Sequence, residues 1–600
     1  MTRLTNRYAA SQSEGLITGR PHRAFFIALI AVFALAGASC GKSKPAAAPD
    51  GGGGSGGPDG GADAAVDVAA DGASDAATVD QAGDAAASDG AADADGGAPA
   101  CPPYQSMCGG RCIPTSVDPA NCGGCGITCA GATACAAGAC VATCPAGLDA
   151  CTNACVDRAS DNANCGACGH ACAAGQGCVK GSCTGAVVLG APPAKCAGGG
   201  PPIVVDPGQG GCLGNVAQTT FRWGLCSCKD VHVSDKLLVD AYDSRRGPYM
   251  PGGLGGGVGA NGKYGTSGSA DVWGTLWCAA SDGVDTTAPN TVKQLLRVGG
   301  LLHSSDLFSV GEDAFVAGDV TTSSSITIGK TLHLPAAATV GAGVTAATVM
   351  REPVTVLPPC DCQPAQLVPV QAIVAAHRAP NNDNAAINLD PAVLSTLGNP
   401  RRLDLPCGDY YLSGVDNSQA ITVVAHGRTA LYIDGDVHNS DALTFTLDPG
   451  AEFDLFIAGN VDSSDNLTIG SPNYPAMSRT YVSSAQGLHL SASTRIGGNV
   501  YAAYGKITWT AAADLYGALF AGDFDATART AIHYDRAVLN TGANCPKPGV
   551  DAGVPGCGTC KDCGNQACIN GACGACGSNA DCCAPLICSN GSCVPDLVVP

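Results

Sequence analysis

The chain has 600 residues and carries 51 acidic against 31 basic side chains, a formal net charge of −20. That balance excludes the basic patches with which proteins displace counterions from nucleic-acid phosphate, so no nucleic-acid partner is expected. Thirty-six cysteines, 83 glycines and only 5% aromatic residues point to an oxidising compartment and to a turn-rich fold with a thin core, and away from a large globular enzyme.

At the N-terminus Arg3, Arg7, Arg20 and Arg23 precede an uninterrupted apolar run over 24–38, followed by Ser39 and Cys40. This order of charged, apolar and small residues reads as a secretory signal over 1–39. The run of 15 residues falls short of the roughly 20 needed to span a bilayer. Leu35-Ala-Gly-Ala-Ser-Cys40 resembles a bacterial lipobox, which implies lipidation of Cys40 and a membrane partner reached through the lipid. An ordinary cleaved signal and an uncleaved anchor are the alternatives. Gly41 stands where Asp would mark inner-membrane retention, so the resemblance implies an outer-membrane lipoprotein facing the periplasm or the exterior. Residues 40–100 are almost wholly Ala, Gly, Asp, Ser and Pro, with eleven Asp and no Lys or Arg over 50–100. Such a segment cannot bury enough surface to offset backbone entropy and reads as a disordered acidic tether. Calcium binding by its carboxylates is the sharper alternative, but no loop of fixed ligand geometry is visible.

Two cysteine-rich modules follow, over 101–143 and 144–184. The first holds Cys101, Cys108, Cys112, Cys122, Cys125, Cys129, Cys135 and Cys140. The second holds Cys144, Cys151, Cys155, Cys165, Cys168, Cys172, Cys178 and Cys183, each 43 residues after its counterpart. Eight coincidences at one offset mark a duplicated unit with four disulfides per copy, among 105 connectivities. The Cys122-x-x-Cys125 and Cys165-x-x-Cys168 pairs have zinc-ligand spacing, yet an exported chain meets oxidants first. Asn121-Cys122-Gly-Gly-Cys125-Gly-Ile-Thr-Cys129 and its copy Asn164-Cys165-Gly-Ala-Cys168-Gly-His-Ala-Cys172 resemble a repeat of myxobacterial surface and secreted proteins, which brings no activity with it.

Residues 185–544 alternate short Val/Ile/Leu/Thr runs with Gly, Asn, Asp and Ser, the grammar of strands and turns. An apolar-x-Gly-(Asp/Asn)-apolar pattern recurs at Gly318-Asp319, Gly435-Asp436, Gly459-Asn460, Gly498-Asn499 and Gly522-Asp523, and 314–329 aligns with 455–470 without a gap. The predicted fold is mainly β: a parallel β-helix of two-strand rungs about two dozen residues long, with Gly-Asx corners in left-handed conformations. A β-sandwich is the competitor. Residues 363–398 interrupt the pattern with helical spacing at Leu367, Val370, Ile373 and Val374, and Asp390-Pro391 is placed to start a second helix. Cys360, Cys362 and Cys407 flank this insertion and are expected to staple it to Cys196, Cys212, Cys226, Cys228 or Cys278. Asp240-Ala-Tyr242-Asp243-Ser244-Arg-Arg-Gly247-Pro248-Tyr249, Leu431–Val437 and Ala531-Ile-His533-Tyr534-Asp535 resemble the β-helical domain of PilX-type pilus-assembly proteins. The resemblance spans about 235–540 and implies fold and surface company, without catalytic residues. The tail, 545–600, returns to cysteine, and its Cys582-Cys583 pair with Cys588 and Cys593 resembles a knottin-like unit. With Cys40 lipidated, 35 cysteines remain, so one thiol is free or pairs with another chain.

Little of this carries chemistry. Gly257-x4-Gly262-Lys263 imitates a phosphate loop but places Tyr264 where the magnesium-binding hydroxyl belongs. The ten histidines form no metal-spaced motif; His426, His489 and His533 read as rung or corner side chains. Asp319, Asp436, Asp462, Asp465 and Asp523 are the carboxylates that rung stacking would align, as backbone-bonding corners, as calcium sites or as the acids of a polysaccharide lyase or hydrolase. The sequence is read as a non-enzymatic surface lipoprotein with an adhesive, scaffolding or interaction role and a polysaccharide or protein ligand; no catalytic residue, metal or cofactor is assigned. The alternatives are a carbohydrate-active β-helix and an accessory component of a pilus-like apparatus.

Overall fold

The computed structural model describes Cys101, residues 104–205, 211–491 and 494–545, and parts of the tail between 567 and 595. The signal segment, Cys40 and the acidic tether lie outside the described residues.

Both cysteine modules fold alike, each as two short hairpins held by four disulfides. Module one pairs Cys101–Cys112, Cys108–Cys125, Cys122–Cys135 and Cys129–Cys140. Module two pairs Cys144–Cys155, Cys151–Cys168, Cys165–Cys178 and Cys172–Cys183, the same connectivity. Loops this short contribute about 3 kcal/mol per bridge in the chain-entropy account. The repeated residues between the cysteines have local roles. Asn121 and Asn164 each accept the amide five residues on, from Gly126 and Gly169, at 2.9 Å. Strands 134–136, 139–141, 149–151 and 154–156 share one sheet, so the modules are fused where the repeat joins.

Strands from Leu225 to Asp535 form a parallel β-solenoid with three faces. Val231–Val233, Tyr264–Thr266, Val284–Thr286, Leu302–Ser304 and Val320–Thr322 stack in register on the first face. Leu237–Tyr242, Ala270–Val272, Asn290–Val292 and Phe308–Val310 form the second. Leu225–Ser227, Val258–Ala260, Leu276–Cys278, Leu296–Val298 and Ala314–Val316 form the third. Nearly every strand here has three residues, the outer two buried inside and the middle one facing out, as period-two alternation requires. Cys278, a free thiol among the described residues, is one of the inward positions.

Each turn therefore holds three strands where the sequence pattern suggested two, and Val284, Leu302 and Val320 stack at 18-residue intervals. The Gly-Asx signature lies between the third and first faces at Gly318-Asp319, Gly435-Asp436, Gly459-Asn460 and Gly522-Asp523, whereas Gly498-Asn499 lies between the second and third. The gapless alignment of 314–329 with 455–470 is correct: both run from the third face through the first to the second. The 24-residue step from Gly435 to Gly459 is one turn, since Ile433 pairs with Ile457. The equal step from Gly498 to Gly522 is not, because Val500 pairs with Leu519.

The corner glycines differ from expectation in their reason. Gly318, Gly435, Gly459, Gly498 and Gly522 do not have positive φ. They are glycine because successive corners nearly touch. A Cβ on Gly459 would lie 2.5 Å from the carbonyl of Gly435.

Chain order and stacking order differ. The chain enters at Leu225–Ser227, in mid-stack, and climbs to Val344–Arg351. It then runs back outside and begins a second series at the opposite end, from Ser395. That series closes onto the start: Leu519–Ala521 pairs with Leu225–Ser227, Phe524–Ala526 with Val231–Val233, and Thr530–Asp535 with Leu237–Tyr242. Two chain segments thus make one continuous solenoid with a seam.

The return segment covers the third face. On the outside of that face Tyr432, Phe456, Tyr481, Tyr501 and Phe520 stack in register, with ring centroids 4.7–5.9 Å apart. The same file continues through Cys226, Gly259, Trp277, Arg297, Phe315 and His333. Disulfides Cys226–Cys360 and Cys228–Cys362 fix the strap there, and Trp277 donates its indole N–H to the Leu357 carbonyl (2.8 Å). Helix Val370–Ala376 buries Val370, Ile373 and Val374, as their spacing predicted. The second helix is Asn384–Ile387, not a helix begun at Asp390. Asp390 instead closes a turn by accepting the Ala392 amide (2.9 Å). Cys196–Cys407 and Cys212–Cys545 complete the solenoid's cross-links, so all three flanking cysteines bond within the expected set.

The two ends of the stack are finished differently. At the Ser395 end, Asn384 exchanges hydrogen bonds with the Tyr411 backbone (2.7 and 2.9 Å), Val187 donates to the Arg402 carbonyl (2.8 Å), and the edge is closed. At the other end Val344–Arg351 pairs on one side with Ile326–Leu334, and its residues are largely exposed. In the tail the described residues form two antiparallel hairpins, 567–569 with 572–574 and 586–589 with 592–595.

Candidate functional site

The five carboxylates singled out from sequence do not converge. Asp319 and Asp436 are corner residues whose Oδ1 accepts the amide of the next corner, from Thr339 and Asn460, at 2.7 Å. Such bonds satisfy backbone donors where a tight turn leaves them unpaired. Asp523 stands in the same corner column beside Lys506, and burial first, then the neighbouring Asp230, raises its carboxyl. At about 4.8 Å per turn Asp436 and Asp523, and Asp523 and Asp319, are on the order of 20 Å apart, well beyond the roughly 5–10 Å of paired glycosidase carboxylates. Asp462 is not a corner residue; it is the outward middle residue of Val461–Ser463. Asp465 lies in the next turn and receives Lys180 of module two (3.4 Å).

The densest polar cluster is at the seam, where two of the segments singled out in the sequence, 240–249 and 531–535, meet. Asp240 and His533 are register partners, and His533 Nδ1 lies 2.7 Å from Asp240 Oδ1. Asp240 Oδ2 accepts the Tyr249 hydroxyl (2.7 Å) and the Gly252 amide (3.0 Å). The Tyr249 ring lies on the His533 ring, centroids 3.9 Å apart, with Tyr242 and Tyr516 edge-on to Tyr249. One turn of chain further, Asp535 accepts the Ser244 amide (2.9 Å) and hydroxyl (2.7 Å), and Ser244 meets the Tyr104 hydroxyl of module one at 2.8 Å. Burial lifts the Asp535 carboxyl to about 6 against these hydrogen bonds. Tyr249 also lines a cleft of about 350 Å3 between 141–145 of the modules and 248–250.

Each polar atom of this cluster named above is spent on another member or on backbone. Asp240 is fully buried and His533 is 4% exposed, an arrangement that fixes the two chain segments to each other. The sequence held the signal, since both segments were conspicuous, but gave no hint that they touch.

The modules dock on the second face of the solenoid. Arg402, 3% exposed, donates to the carbonyls of Ser160 (2.6 Å) and Cys178 (3.1 Å). Lys180 reaches Asp441 (2.6 Å), and Arg495 reaches Asp157 (3.4 Å). Tyr104 packs against Tyr474. The paired modules are therefore built onto the solenoid wall.

Residues 369–541 match a family model described as a domain of unknown function, DUF7305. Residues 136–186, the end of module one and all of module two, match the stigma-specific STIG1-like protein family. No curated protein and no solved structure matches the chain.

Proposed function

We propose that this chain is a non-enzymatic surface lipoprotein, anchored through Cys40, whose solenoid is a rigid platform for adhesion or scaffolding. The observation that carries the reading is the unequal finish of the two solenoid ends. One is closed by Asn384, Val187 and the turns around them, while the strand Val344–Arg351 leaves an exposed edge with Val349 and Met350 47% and 44% exposed. Soluble sheets ordinarily blunt such edges, and an open edge recruits an added strand through main-chain hydrogen bonds. The disulfide cross-links support the exported location. The wide separation of Asp319, Asp436 and Asp523 supports an interaction role over glycoside chemistry.

The test is a Val349→Pro variant, which removes one edge amide, compared with wild type for retention of whole cells on a surface and for recovery of partners after mild cross-linking. Loss of both with unchanged secretion and unchanged solution stability supports the reading. Full retention of both overturns it. Lipidation is tested separately by labelled palmitate with and without a signal-peptidase II inhibitor; a mature chain that takes no label removes the anchor.

A further inference from the structure

Among the described residues, neither the modules, which lie on the second face, nor the strap, which lies on the third, covers the first face. Its outward residues stack in an order that the linear sequence hides. From the closed end they run Asp416, His438, Asp462, His489 and, after Thr508, Asp525 then His232. Carboxylate and imidazole alternate, one per turn, from Asp416 to His489.

Asp462 differs from Asp525 and Asp285 in this file. Asp525 is neutralised by Lys506 at 2.8 Å, and Asp285, further along, by Lys263 at 2.8 Å. Asp462 meets no lysine or arginine among the described residues; its partners are two imidazoles, one from each side. His438 Nδ1 is 3.9 Å from Oδ2 and His489 Nδ1 is 3.7 Å from Oδ1. All three side chains are about half exposed, 54%, 56% and 51%.

We propose that His438, Asp462 and His489 form a binding site for a divalent transition ion of the zinc class. Imidazole nitrogen and carboxylate oxygen are its ordinary ligands, at about 2.0–2.2 Å, which sets ligand atoms roughly 3.3 Å apart. The two observed carboxylate–imidazole separations exceed that by a few tenths of an ångström, and the two imidazoles, on opposite sides of Asp462, stand farther apart. Flanking turns lie about 4.8 Å either side of Asp462, within reach of a histidine ring. Rotation of three exposed side chains closes the set, and water fills the fourth position. The anionic ligand and neutral imidazoles give the site the net charge a dication favours. The cysteine groups with metal-like proximity, Cys122/Cys129/Cys140 and Cys165/Cys172/Cys183, are consumed in disulfides and do not compete.

The test uses the full mature chain without a polyhistidine tag, stripped with chelator and titrated calorimetrically with Zn2+, with Co2+ visible absorption as a second readout. Wild type is expected to bind one Zn2+ at this site. The double variant His438→Gln/His489→Gln is expected to weaken that binding at least ~10-fold, as is Asp462→Asn. His303→Gln, in the same file, is expected to leave it unchanged. Thermal melts of the metal-free variants matching wild type exclude misfolding as the cause. Absence of binding below about 1 mM, or equal binding by the double variant, overturns the proposal.

Discussion

Asp240 and His533 are 293 residues apart in the chain and 2.7 Å apart in space. They sit on adjacent strands that belong to the first and last parts of the solenoid. Everything between them is built outward from their contact in two directions. The contact is thus the closure of the fold, with Cys212–Cys545 as its covalent counterpart.

Substitution at this contact should unfold the seam. Asp240→Ala leaves the imidazole, the Tyr249 hydroxyl and the Gly252 amide without their acceptor in a buried site. The expected cost is about 3 kcal/mol, read as a lowered denaturation midpoint of the disulfide-intact chain. His533→Ala should cost a similar amount and add little in combination, because both remove the same contact. Fully additive losses would contradict this account.

Two titrating groups give stability a pH dependence of known sign. His426 bridges Asp448 (2.6 Å) and Asp404 (2.9 Å); Asp404 is also bound by Arg402. Burial opposes the charged ring, but these bonds outweigh it and raise the imidazole from 6.5 to about 9. A raised histidine stabilises the fold fully below its unfolded value and loses that contribution as pH rises through about 9. Asp535, raised from 3.8 to about 6 chiefly by burial, favours its protonated form, so its contribution is lost as pH rises from 3.8 through about 6. Denaturation midpoints measured from pH 4 to 10 should show His426→Gln flattening the alkaline step and Asp535→Asn the acidic one.

The corner glycines give a steric prediction. Gly459→Ala places a Cβ 2.5 Å from backbone atoms of Gly435, which are held by the rung below. Overpacking of this kind costs about 1–3 kcal/mol. Gly185→Ala, where a Cβ meets nothing within 4 Å, is the matched control and should be close to neutral. Equal melting temperatures for the two variants would mean that the corners can spread apart.

Much of the fold was legible locally. The 43-residue offset fixed the module duplication, because a disulfide framework tolerates change everywhere except at its cysteines and tight turns. Parallel stacking was legible from Gly-Asx recurrence, since each corner must clear the one below it. The three-sided turn was not, because the signature falls mainly at one of the three corners. The helix at Asp390 was misplaced for a related reason: an Asp-Pro pair closes a turn as readily as it opens a helix, and neighbouring chain decides between them.

What the sequence by itself determined is the set of units: cysteine modules, stacked strands and an inserted helix, all specified by spacing within a few dozen residues. Only the tertiary structure decided how they meet. The seam joins Asp240 to His533, the strap lies across the third face, and His438, Asp462 and His489 come into one file although 24 and 27 residues separate them. The reason is that a solenoid sets its neighbours by register between turns. Turn length varies with every insertion, so the partner of an outward side chain is fixed by stacking and cannot be counted along the chain.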